Sequence, residues 1–199
     1  MEPHIATPPV ESHPLAPFLP DGCRLLMLGS FPPECKRWSM EFFYPNFNND
    51  MWRIMGLLFY GNRNYFEKEG VKRFDRDRIV AFCAERGIGL FDTATQVRRL
   101  AGNASDKFLE VVTPTDLTAM LSSLPRCVAV VTTGEKATDT LMQHFGCEKP
   151  RVGEYVPLHA GDRALRFYRM PSSSRAYPLA IDRKAASYGR MFGDLGMLP

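Results

Sequence analysis

The chain has 199 residues, of which 45% are hydrophobic and 24% charged, with a net charge of +3. This is enough chain for one domain with a sheet covered by helices, and too mild a charge bias to point by itself to nucleic acid. No apolar run is long enough to span a bilayer, and the N-terminus lacks the basic start and apolar stretch of a secretory signal. A cytoplasmic protein is therefore expected.

Residues 1–22 form a proline-rich arm containing Pro3, Pro8, Pro9, Pro14, Pro17 and Pro20. Proline removes backbone donors, so the arm reads as an extended segment lying over a single domain of residues 23–199. The first strand, Leu25 to Ser30, stops abruptly at Gly29-Ser30-Phe31-Pro32-Pro33. Gly29 permits close approach of a ligand or a second backbone, and the prolines hold the turn, which makes this loop a binding candidate.

An aromatic and amide-rich segment follows, with Trp38, Phe42, Phe43, Tyr44, Asn46, Phe47, Asn48, Asn49 and Asp50. Beyond it, Trp52, Ile54, Met55 and Leu58 have the spacing of a buried helix face. One of the preceding polar residues can cap that helix, but a cap does not need all four. Rings beside amides are what a pocket needs to stack a flat heterocycle and hydrogen-bond its edge.

Three further apolar runs, Gly87 to Asp92, Cys127 to Val131 and Ala164 to Met170, each exit into polar or glycine-containing loops. Helical spacing lies between the runs, at Arg76 to Arg86, Pro114 to Leu124 and Glu135 to Phe145. Strands joined through helices run parallel, so a three-layer α/β/α domain with a central four-stranded parallel sheet is expected. Its strand exits should then gather at one edge, where such sheets bind ligands.

The five cysteines never approach Cys-x-x-Cys spacing and their odd count argues against a disulfide framework. The histidines are scattered, with His4 and His13 in the arm, His144 on a helix and His159 in a loop. No metal centre is expected. Arg98, Arg99, Lys107, Arg169, Arg175, Arg183 and Lys184 fall in or just after segments assigned to the ligand edge, where together they suit a few phosphates.

These residues resemble the uracil-DNA glycosylase superfamily, closest to its hypoxanthine-DNA glycosylase and mismatch-specific branches. The matching pieces are Gly29-Ser30-Phe31-Pro32 at the first strand end, Asn49-Asp50-Met51-Trp52 at a helix start, the strand ending in Asp92, and Met170-Pro171-Ser172-Ser173-Ser174. Gly102 to Asp106 falls where the hypoxanthine branch carries a short polar insertion. The likeness runs from about Arg24 to Leu195, and the order of the motifs is its specific signal.

The resemblance implies a monofunctional hydrolase of base excision repair, a monomer without metal or organic cofactor, which flips a deaminated base from DNA and cuts its N-glycosidic bond. It implies Asn49 and Asp92 as catalytic residues. Gly29, Ser30, Phe31, Pro32, Tyr44 and Asp92 would bind the base, and Ser172, Ser173, Ser174 and Arg175 the DNA backbone, with Arg175 or Tyr177 filling the gap in the stack. The chain also departs from the family. Phe31 stands where uracil-specific relatives place the Asp or Asn that positions water, Met170 where many have His or Asn, and Asn46-Phe47 where a His-Pro pair is common. A catalytically weak or inactive DNA- or nucleotide-binding relative is thus the alternative. A small-molecule α/β hydrolase or transferase using Ser172 or Ser174 as nucleophile is weaker, because the sequence has no Gly-x-Ser-x-Gly elbow and no obvious His partner near a strand end.

Overall fold

The computed structural model describes residues 7–101 and 106–199. The first half of the chain contains β1 (Glu11–Ser12), β2 (Leu25–Gly29), α1 (Met51–Tyr60), α2 (Arg76–Arg86), β3 (Ile88–Asp92) and β4 (Ala94–Arg99). The second half contains β5 (Leu109–Pro114), α3 (Leu117–Ser122), β6 (Ala129–Thr133), α4 (Glu135–Phe145), β7 (Glu154–Ala160), β8 (Arg163–Met170) and α5 (Ile181–Asp194).

The main sheet runs β3-β2-β6-β8-β7. Its first four strands are mutually parallel and β7 pairs antiparallel with β8. It is therefore a five-stranded mixed sheet, not the four-stranded parallel one that the alternation suggests. The fifth strand is hidden in the sequence because β7 is a solvent-facing edge with only Leu158 buried, and Pro157 within its short apolar stretch reads against a central strand. It folds as one arm of a hairpin closed by Gly161, which takes the left-handed φ of +61° that a two-residue turn requires.

β2, β3 and β6 are buried at every residue, as strands covered on both faces must be. The chain leaves β2 toward β3 on one side, then crosses to β6 and β8 on the other. Right-handed crossovers then put α1 and α2 on one face and α3 and α4 on the other. Packing agrees with this assignment. Phe59 of α1 meets Phe82 of α2 and Phe192 of α5 edge to face, with ring centroids 4.9 and 5.1 Å apart. On the opposite face Thr118 of α3 bonds His144 of α4 at 2.9 Å.

α2 and α4 occupy the bounds that their spacing predicts. α2 starts where the Asp75 side chain accepts from Arg78 N, and it stops at Gly87 in the left-handed region. α3 is shorter than Pro114 to Leu124, because Pro114 still belongs to β5 and the Asp116 side chain caps the first turn by accepting from Ala119 N.

A second, antiparallel sheet, β1-β4-β5, grows from the end of β3 after Thr93 alone, with a bulge in β4 around Gln96. The arm supplies its outer strand, Glu11 opposite Val97 and Ser12 opposite Gln96. The arm then exchanges two backbone hydrogen bonds between Phe18 and Leu90, at 3.0 and 2.8 Å, and so covers the free edge of β3.

Candidate active site

β2 and β6 are neighbours whose connections leave in opposite directions, and the crevice beyond their carboxyl ends is the topological switch point of the sheet. A cleft of about 360 Å³ opens there. Its walls come from Ser30 to Pro33 after β2, Asp92 at the end of β3, Thr133 at the end of β6, and Ser172 to Arg175 after β8, with Tyr44 and Asn49 from the aromatic segment. The four strand exits thus meet at one place.

Asp92 is buried against the backbone of Gly29, its register partner across the two strands. Its Oδ2 lies 2.8 Å from Nε2 of His13, a residue that sequence reasoning left as one of four scattered histidines. Nothing local marks His13, since the pairing spans 79 positions and depends on where the arm docks.

A second carboxylate enters the cleft with Asp106, at the start of a single 3-10 turn, and its Oδ1 accepts the Ser30 hydroxyl at 2.9 Å. Burial pushes the Asp106 carboxyl above its ordinary range and the nearby charge of Asp92 adds to this, while the Ser30 hydrogen bond works against it. Of the polar insertion, Gly102 to Ser105 lie outside the described residues.

Tyr44 takes a positive φ of 51°, uncommon for a bulky residue and a sign of local strain. Its ring lies edge-on to Trp52, and its hydroxyl exchanges a 2.9 Å hydrogen bond with Thr133 across the cleft. Burial drives the phenol upward against that hydrogen bond, so the group stays neutral.

Asn49 lines the cleft, and its Oδ1 accepts Met51 N at 2.9 Å, so part of the side chain serves the helix start. Asp50, next to it, makes no capping bond. Its Oδ1 accepts Arg175 Nε at 3.0 Å and its Oδ2 lies 3.3 Å from Nζ of the buried Lys184. Lys184 also donates to Ser174 O at 2.8 Å, and Asp50 N to Ser173 O at 2.9 Å. These bonds fasten the serine loop to the start of α1. Within the loop, Ser172 Oγ accepts Ser174 N and Ser174 Oγ accepts Ala176 N, each at 3.2 Å, while Ser173 is buried.

The basic rim is more engaged than composition suggests. Lys184 is buried, Arg98 pairs with Glu110 at 3.2 Å, Arg99 with Glu11 at 3.0 Å, and Arg169 with Glu135. Arg37, not singled out in the sequence, lines the cleft from the exposed turn after the first loop. Phe31 lies edge-on to His13 and packs with Ala94, Val97 and Leu109, and Met170 is buried in the main core. Neither brings a polar side-chain group to its place in the fold. Among the described residues, no group of three or more His, Cys, Asp or Glu is placed to hold a metal ion, and no helix is long and apolar enough to cross a membrane.

No family model matches the chain, and no curated protein matches it. Among solved structures it is similar to the solution NMR structure described as "a putative Uracil DNA glycosylase" from Methanosarcina acetivorans. The two share 18% identity over 94% of this chain and 99% of that one, with a TM-score of 0.64. A likeness of this extent at this identity establishes the architecture: the chain has a uracil-DNA-glycosylase-like α/β fold.

Proposed function

We propose that the protein is a monofunctional DNA glycosylase that hydrolyses the N-glycosidic bond of a flipped, deaminated base, uracil or hypoxanthine. The observation that carries this reading is the Asp92 carboxylate, buried at the switch-point cleft whose walls also hold Tyr44, Asn49 and the serine loop. An ionised carboxylate only accepts hydrogen bonds, so it favours the ring N–H that uracil and hypoxanthine present and disfavours the bare ring nitrogen of cytosine or adenine. Tyr44 would stack on the base, and the serine loop with Arg175 would hold the neighbouring phosphates.

In the reaction the C1′–N bond breaks with its electron pair leaving on the base. Water forms the new C1′–O bond and gives up a proton, which the departing base finally takes. Asn49 holds water or the leaving base, and Asp92 reads the N–H edge or accepts the proton of water. No step calls for a metal or an organic cofactor. The alternative, a relative that binds DNA without cleaving it, is favoured by Phe31, whose buried ring offers no group to position water.

Purified protein incubated with duplexes containing uracil, hypoxanthine, xanthine or mismatched thymine, followed by alkaline cleavage of abasic sites, tests the proposal. Strand breaks at uracil or hypoxanthine are expected. Retained binding without breaks on any substrate would leave the binding-only relative.

A further inference from the structure

We infer that His13, carried in by the proline-rich arm, is a positioning residue that fixes the Asp92 carboxylate for base recognition, an inference that rests on the glycosylase reading above. The His13 side chain is only 4% exposed, and its Nε2 lies 2.8 Å from Asp92 Oδ2. The ring is walled by aromatic groups, with the Phe91 centroid at 4.6 Å and Phe31 edge-on at 5.2 Å. These walls set the imidazole plane, and His13 itself is not part of the cleft wall. It therefore acts through Asp92.

The second ring nitrogen is also occupied. Leu15 N lies 3.1 Å from Nδ1 and Leu15 O lies 2.8 Å from it. With a proton on Nε2, Nδ1 accepts from Leu15 N–H while Nε2–H donates to Asp92; an imidazolium donates to Leu15 O and Asp92 together. The neutral form protonated on Nδ1 would instead set a lone pair against a carboxylate. Both favourable forms hold Oδ2, while Oδ1 rests against Gly29. A carboxylate that would otherwise rotate is left with one oxygen in a defined place, as preorganised recognition requires.

The backbone on either side prevents His13 from moving independently. Glu11 and Ser12 pair with β4, Arg99 holds Glu11 at 3.0 Å, and His13 N donates to Thr95 O at 2.8 Å. An arm needed only to shield β3 has no use for a polar ring in an aromatic box, where phenylalanine or leucine would pack without a desolvation cost.

The test compares His13→Leu with His13→Gln, whose amide N–H reaches close to the position of Nε2–H. In single-turnover excision of uracil or hypoxanthine, His13→Leu should lower the maximal rate ~100-fold or more with KM changed little, the scale of losing one preorganised donor. His13→Gln should recover most of the rate at equal thermal stability. Equal loss in both variants, or a loss that merely follows the folded fraction, would overturn the inference. A readout independent of activity is the tautomer of His13 from long-range ¹H–¹⁵N correlations. A proton on Nε2 is expected, with signals that change in Asp92→Asn. Should the wild type excise no base, the glycosylase reading falls, and this spectrum still decides the His13–Asp92 link: a neutral ring protonated on Nδ1, or signals indifferent to Asp92→Asn, would sink it.

Discussion

A methyl group on Gly29 would sit 2.3 Å from Asp92 Oδ1, well inside van der Waals contact. The pair are register partners at the ends of adjacent parallel strands, so the smallest residue and the buried acid occupy one shared space. Gly29 keeps its place for proximity to this carboxylate; its φ is not in the left-handed region.

Gly29→Ala must push the Asp92 carboxylate aside or shift a strand end. Overpacking of this kind costs about 1–3 kcal/mol, whereas displacing a preorganised group lowers turnover by ~100-fold or more. Urea unfolding alongside single-turnover excision should find the larger effect in catalysis. A wild-type rate in Gly29→Ala would detach Asp92 from the chemistry.

Asn49→Ala is expected to act twice. Losing the Oδ1 bond to Met51 N should cost about 1 kcal/mol of stability, the usual worth of a helix-start cap. Losing the carboxamide from the cleft should lower turnover of the folded protein by ~100-fold. Asp92→Asn is the companion variant, since it exchanges an acceptor for a group that also donates. A shift of preference toward uracil assigns Asp92 to base reading, and uniform loss assigns it to water. Unchanged rates and preference in both variants would remove both residues from the mechanism.

Asp106 gives the chain a pH dependence of definite sign. Its folded-state value is raised by burial, so between the ordinary carboxylate range and that raised value the folded protein holds a proton that the unfolded chain has lost. Its contribution to stability is complete below the ordinary range and declines as pH rises through the folded value. Asp106→Asn keeps an acceptor for Ser30 and removes the charge. Its thermal midpoint should exceed that of the wild type at pH 7, with the advantage gone near pH 3. An equal difference at both pH values would count against a desolvated carboxyl.

Asp50 faces two cations, one of them wholly buried. Asp50→Ala leaves Lys184 without its counter-ion, and such losses cost about 3–5 kcal/mol. Lys184→Met removes the buried charge and leaves Asp50 paired with Arg175, so it should cost clearly less. Chemical denaturation of the two variants and their double mutant measures the coupling; additive effects would mean that the pair does not act as a unit.

Much of the fold was legible because it is written in local periodicity. The bounds of α2 and α4 follow from 3.6-residue spacing that ends at Gly87 and Gly146, and the four parallel strands from short, largely apolar runs. β4, β5 and β7 were not, because each keeps one side toward solvent or the other sheet, and polar residues or a proline break up what apolar character each has. The cleft was partly legible on the same ground: Asp92, Asn49 and the serine loop stand at strand ends or a helix start, and Tyr44 in the aromatic segment before that helix. His13, Asp106 and Arg37 have no such local signature, and their placement follows from docking of the arm and of the segments after β4 and β2. Lys184 erred in the other direction, since charge alone suggests a solvated rim and hides a buried partner 134 positions away.

The arm is secured to β4 by a strand of only two residues, while the sheet beneath it is held by paired strands of five or more. Unequal anchoring of this kind separates local from global opening. The arm is expected to peel away at urea concentrations that leave the sheet intact, taking His13 with it. Excision should therefore fall before far-ultraviolet circular dichroism changes, and the amides of Phe18 and Leu90 should exchange with deuterium sooner than those of β2 and β6. The molecule would then have two thresholds, one for holding its shape and an earlier one for using it.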